Sequence, residues 1–289
     1  MADNSRAINR VFTKSVLTEL LEEGKNKIFD YVVERYVDDP ESKTHGELFS
    51  EIYKYLDKQK RNEYYYMNTL LNRILVGYHS VNTTCALSQV RIGSHIADFV
   101  MINGEGKVYE IKSNFDTLDR LSDQLSDYFR AFGKVSVLTT PYEYERVLAL
   151  LGRLGDMGDA VGVFIMNEKD IFFNSSDRRE PELFTEKLEH SCIFKLLRKR
   201  EYENVVRDYF GELPKTVPVR HFRECLDWFS QIPILEAQDL ACKELKKRNI
   251  ITKTEYNSIQ TELKSVVYFS GFVRKLPNIE QLLQTTYRR

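Results

Sequence analysis

The chain has 289 residues, 42% hydrophobic, 12% aromatic and 29% charged, with a formal net charge of -1. That composition excludes a disordered chain, and the length suits one large domain with additions or two modest ones. A near-neutral chain has no global positive field, so nucleic-acid binding would use local patches; no run nears the roughly 18 apolar residues that span a bilayer, and the polar opening MADNSRAINR is no secretory signal, so a cytoplasmic protein without a membrane span is expected.

From Asn9 to about Tyr36, Val11, Val16, Leu17, Leu20, Leu21, Ile28, Val32 and Val33 recur at helical spacing. The polar run VDDPESKTHG then reads as a loop. A second helix is expected over Glu47 to Leu56, and a third from about Asn62 to Leu75. In the third, Glu63, Met67, Leu70, Leu71 and Ile74 share one face, which turns Glu63 inward.

At Leu87 the period changes to two, in LSQVRI and HIADFVMI, with Gly93-Ser94 as a turn between them. NGEG closes a hairpin into KVYEIKS, and short Gly- and Asn-rich connections imply three consecutive antiparallel strands. Helical spacing returns in Leu118, Leu121, Leu125, Tyr128, Phe129 and Phe132, with Asp116 or Thr117 as N-cap, and KVSVLTT reads as a further strand. Thr140-Pro141-Tyr142-Glu143 has the residues of a helix start, running to about Leu151. AVGVFIM and IFFN, on either side of NEKD, suggest another hairpin.

Beyond about Ser175 no further strand is expected, only helices broken near Gly211 to Pro218, at Pro233 and at Pro277. The expected division is an N-terminal helical region over 1–58, an α/β core over 59–175 and a C-terminal helical region over 176–289. Cys85, Cys192, Cys225 and Cys242 are scattered without zinc-ligand spacing and read as reduced, buried thiols.

The chemistry concentrates in ADFVMINGEGKVYEIKS, residues 97–113. Asp98, Val100 and Ile102 share one face of their strand, and Val108, Glu110 and Lys112 one face of the next. An odd-numbered loop sets Asp98 opposite Glu110; an even one spoils the pairing unless a bulge restores it. Two such carboxylates repel unless a positive group lies between them, and a hard divalent cation is the natural solution. Lys112 could then orient or deprotonate an attacking water, or stabilise charge on a phosphate. The plainer alternative is a surface hairpin in which Glu110 and Lys112 form a solvated ion pair of little energetic weight.

An aspartate followed twelve residues on by Glu110-Ile111-Lys112, across a Gly-containing turn, resembles the PD-(D/E)XK nuclease signature. The order helix, three strands, helix, strand is similar to that superfamily's restriction-endonuclease-like core. Ile96 and Ala97 stand where the signature's proline would lead. The resemblance implies metal binding by Asp98, Glu110, the Ile111 carbonyl and a helix acid, Glu63 with Glu51 as its rival, and catalysis by these carboxylates with Lys112. Gln124 and Tyr128 form a Q-x-x-x-Y pattern similar to that of RecB-like members, which implies contact with the substrate backbone. The longer run YEIKSNFDTLDRLSDQLSDY resembles a little-characterised group of bacterial and phage proteins.

The implied activity is Mg2+-dependent phosphodiester hydrolysis, with Mn2+ able to substitute, on DNA rather than RNA, in defence against mobile elements or in DNA processing. The rivals are a nuclease-fold binding or regulatory module without turnover, and a helical structural protein with an incidental hairpin. A second copy or a protein partner would dock through the C-terminal helices. His95, three residues before Asp98, reads as a surface or strand-pairing residue. Basic clusters at Lys195, Arg198, Lys199 and Arg200, at Lys243, Lys246, Lys247 and Arg248, and at Arg220 with Arg223 read first as solvated helix faces. No P-loop, dinucleotide fingerprint or G-x-S-x-G elbow is present.

Overall fold

The computed structural model describes residues 5–59, 61–73, 81–114, 116–166, 178–249 and 251–288. Two compact units emerge, one of residues 1–82 with 250–289 and the other of residues 83–249. The expected boundaries near 58 and 175 therefore give way to a different division, in which both chain ends belong to one unit.

The first unit is helical. The helical spacing between Asn9 and Tyr36 is carried by three helices and not one: α1 (Ser5–Val11), α2 (Lys14–Glu23) and α3 (Lys27–Tyr36). Gly24 ends α2 with φ 72° and donates its N–H to the Leu20 carbonyl. Two residues on, the Asn26 side chain accepts from the Ile28 and Phe29 N–H groups and starts α3. Next come α4 (His45–Gln59) and α5 (Glu63–Asn72), the latter capped by Asn62, whose side chain accepts from Tyr65 N–H. Helix α5 buries Tyr66, Met67, Leu70 and Leu71; Ile74 and Leu75 lie outside the described residues.

The second unit carries a six-stranded mixed sheet in the order β1-β2-β3-β4-β5-β6. β1 (Cys85–Ile92), β2 (His95–Asn103) and β3 (Glu105–Lys112) run antiparallel in sequence. Helix α6 (Leu121–Phe129) then crosses over, so that β4 (Lys134–Thr139) pairs parallel to β3. Its cap is Arg120 and not the expected Asp116 or Thr117; the Asp116 carboxylate instead accepts from Ser113 N–H and Oγ–H. Helix α7 (Tyr144–Leu151) begins later than expected, because Thr140 and Glu143 close a turn first. After α8 (Asp156–Ala160), β5 (Gly162–Ile165) adds parallel to β4.

The hairpin partner expected for β5 at IFFN lies outside the described residues. β5 pairs with β6 (Arg178–Arg179), a short strand beyond the point where none was expected. Two residues carry too little periodicity to be read from sequence. The unit ends in α9 (His190–Lys195), α10 (Lys199–Phe210), α11 (His221–Phe229) and α12 (Ile234–Lys246).

One face of this sheet packs Val100, Ile102, Val108, Val135 and Val137 against Leu121, Leu125, Tyr128 and Phe129 of α6 and against α9 to α12. The cysteines are free and buried, and burial pushes the Cys225 and Cys242 thiols up to about 11 and about 12. Helices α13 (Lys253–Ser258), α14 (Lys264–Ser270) and α15 (Leu276–Gln284) rejoin the first unit. There the fully buried Asn68 accepts from Ser265 N–H and donates to the Thr261 carbonyl. Tyr287 Oη donates to Asp30 at 3.0 Å, tying the last residues to α3.

Candidate active site

Strands β2 and β3 are joined through Gly104 alone, between paired Asn103 and Glu105, and its φ of 76° is open to glycine at little cost. The ladder runs from that pair to Phe99↔Tyr109. Continuing the register one step sets Asp98 opposite Glu110, the odd-loop alternative. Here the Ile111 N–H donates to Asp98 Oδ2 at 2.8 Å, so the aspartate is anchored to the backbone beside Glu110.

Glu110 and Lys112 point from β3 into the interface with α6 and are 2% and 8% exposed, which rules out a solvated surface pair. Lys112 Nζ donates to Glu110 Oε1 at 2.9 Å and to Gln124 Oε1 at 2.9 Å. Gln124 Nε2 donates to the same Glu110 oxygen at 2.5 Å. Tyr128 Oη lies 2.7 Å from Glu110 Oε2 and 2.9 Å from the Ile96 carbonyl, two acceptors for a single proton. Burial, then the Glu110 charge, pushes the Tyr128 pKa well above that of a free phenol, so the hydroxyl stays a donor. The spacing of four on α6 thus delivers Gln124 and Tyr128 to the two oxygens of one carboxylate.

Glu63 and Glu51 stand differently. Glu63 is exposed in the first turn of α5, not turned inward, because the apolar face of that helix is set by Tyr66, Met67, Leu70 and Leu71. A carboxylate there also suits the positive end of the helix. Glu51, on α4, pairs with Lys43 at 3.1 Å. Both belong to the first unit, whereas Asp98, Glu110, Ile111, Lys112, Gln124 and Tyr128 all belong to the second.

Asp127 is a residue that periodicity did not single out. Its Oδ2 accepts from Ser94 N–H at 2.8 Å and Ser94 Oγ at 2.7 Å, and lies 2.8 Å from His95 Nδ1; its Oδ1 accepts from Arg130 at 2.9 Å. His95 is therefore not a bare strand residue but one member of a hydrogen-bonded cluster around Asp127. Burial alone would raise the Asp127 pKa, but the bonds from Ser94, His95 and Arg130 outweigh it and hold the carboxyl well below its ordinary range. The sequence signal was its position three residues after Gln124, on the α6 face turned to the sheet.

Asp98, Glu110 and the Ile111 carbonyl are hard oxygen donors of the kind Mg2+ takes, with water and phosphate oxygens completing its shell. Among the described residues no group of three or more His, Cys, Asp or Glu side chains could hold a metal ion, so any set here is two carboxylates and a carbonyl. Charge is compatible with that set: Lys112 offsets one of the two acids, and the remaining negative charge suits a cation that also faces a phosphate. Glu110 Oε1 would have to share its two present donors with the ion.

These features define a protein of the α/β class with a mixed open sheet and a buried acid–lysine cluster on its third strand. The chain belongs to the family described as bacteriophage P4 protein cII, whose model matches residues 57–265. No curated protein and no solved structure matches it.

Proposed function

We propose that this chain is a Mg2+-dependent nuclease with a restriction-endonuclease-like core, hydrolysing phosphodiester bonds, most readily in DNA. The reading is carried by one observation: a buried glutamate two residues from a buried lysine, both held by a Gln and a Tyr from the crossover helix, beside an aspartate anchored to the neighbouring strand. A structural ion pair does not need the second carboxylate, and burying a charged pair is seldom favourable for stability by itself. Asp98, Glu110 and the Ile111 carbonyl would hold the ion, which would supply an activated water and charge stabilisation at the phosphate.

The protein's own groups have distinct tasks. Lys112 keeps a cationic donor where water or phosphate would lie, Gln124 fixes both Lys112 and Glu110, and Tyr128 orients the far oxygen of Glu110. The purified full chain with Mg2+ or Mn2+ is expected to cut DNA, and Lys112→Ala and Asp98→Ala are each expected to lower the rate by at least ~100-fold. Cleavage at parental rate in both variants sinks the assignment. The second reading is a nuclease-fold regulatory module without turnover, favoured by the fact that both Glu110 oxygens already have donors. Mn2+ titration separates the two, since the module predicts no affinity that depends on Asp98 and Glu110.

A further inference from the structure

Two basic runs, separated in sequence by most of helix α10, approach each other in the second unit. The run 195–200, KLLRKR, and the run 214–223, PKTVPVRHFR, contain seven Lys and Arg residues and no acid between them. Phe222 in the first turn of α11 packs against Phe194 at 5.2 Å and Tyr202 at 5.8 Å, between ring centroids. His221 Nε2 lies 2.7 Å from Glu203 Oε1 on α10, and at the other ends Phe210 meets Trp228 at 5.4 Å. Helices α10 and α11 therefore run side by side in the same direction, and the run 195–200 comes to the same end of the pair as Arg220 and Arg223, whereas Lys215 pairs with Glu212 beyond the other end of α10.

Glu224 lies in the first turn of α11, and two further acids near that end are already engaged. Glu203 faces His221, with Lys199 at 3.9 Å, and Glu201 accepts from Arg248 Nε at 2.7 Å. Arg248 also donates to the Leu196 carbonyl at 2.9 Å, which brings the end of α12 to the same place. Lys195, Arg200, Arg220 and Arg223 are exposed and form no ion pair among the described residues. Phe222, the neighbour of Arg223 in the chain and packed on Phe194 next to Lys195, remains 45% exposed. A chain with a net charge of -1 thus concentrates unpaired cations around an accessible ring.

We infer that this face is a nucleic-acid docking surface, with Arg200, Arg220 and Arg223 on backbone phosphates and Phe222 against a sugar or base. Phosphate is favoured as the ligand because four of the seven cations are arginines, whose planar donor forks match phosphate oxygens. An exposed aromatic among such cations is the pairing used to hold unstacked bases. The inference rests on the nucleic-acid part of the reading above and not on cleavage, since no residue of the Glu110 cluster takes part.

The test uses the full chain carrying Asp98→Ala, in EDTA, with labelled single-stranded and duplex DNA followed by fluorescence anisotropy across a salt series. Replacing Arg200, Arg220 and Arg223 together with Ala is expected to weaken binding at least ~10-fold and to flatten the slope of log Kd against log salt by about 2 on single strands and about 3 on duplex. The corresponding triple Lys variant should keep the slope. Phe222→Ala should weaken single-stranded binding more than duplex binding. Unchanged affinity and slope in the triple Ala variant, no DNA binding by the parent, or binding of labelled polyglutamate in preference to DNA each overturns the inference, the last in favour of an acidic protein. DNA binding lost with the arginines in a chain that never cuts DNA would uphold this surface while removing the nuclease.

Discussion

The Glu110–Lys112 pair can be weighed by removing its cation. In Lys112→Met the stem stays apolar and of similar length, but Glu110, 2% exposed, loses the ammonium 2.9 Å from its Oε1. It keeps Gln124 on that oxygen and Tyr128 on the other, so the carboxylate is underpaired and not orphaned. One hydrogen bond to a charged group is worth about 1.5 to 3 kcal/mol, and breaking a buried pair costs about 3 to 5 kcal/mol when nothing else supports the remaining charge. With two donors left on the carboxylate, the expected destabilisation is about 2 to 4 kcal/mol. Glu110→Gln removes the charge from the other side, and the double variant leaves no buried ion, so a coupling of about 1 to 3 kcal/mol is expected in the double-mutant cycle. The assay is urea unfolding in EDTA followed by Trp228, the single tryptophan, which sits on α11 against the core of the same unit. A coupling below about 0.5 kcal/mol would refute the pairing on which the site is built.

The other expectations address the supports of that pair. Tyr128→Phe keeps the ring in a fully buried position but removes the hydroxyl shared by Glu110 and Ile96, and should cost about 1.5 to 3 kcal/mol in the same urea assay; equal midpoints would mean that the hydroxyl carries no bond. Asp127 has a lowered folded-state pKa, so its stabilisation is fully present above the ordinary carboxylate range and is lost as pH falls through the lowered value. Thermal melts of the parent and Asp127→Asn should therefore differ at neutral pH and converge in strong acid, and a gap that widens on acidification would reverse the sign of the argument.

How far the site was legible follows from the distance over which each part is decided. Asp98, Glu110 and Lys112 were readable because side chains alternate along strands, and Gln124 with Tyr128 because residues four apart share a helix face. The burial of Glu110 and Lys112 was not readable. It depends on α6 folding back across β2 and β4, and a solvated hairpin with the same residues obeys the same periodicity. The inward turn expected of Glu63 is not found for a related reason: a helical stripe can be extended on paper to its first residue, while the real helix turns that residue outward beside its Asn62 cap.

The residue pattern by itself determined the alternation of helix and strand, the position of the β2–β3 turn and the face on which each candidate side chain emerges, all of which depend on neighbours within a few residues. Only the tertiary structure decided that both chain ends build one unit, that Asp127 clasps the Ser94 turn, and that the start of α11 meets the run 195–200 through Phe222 and Phe194. Those outcomes come from packing between segments tens of residues apart, where the local period of a sequence carries no information about which face meets which.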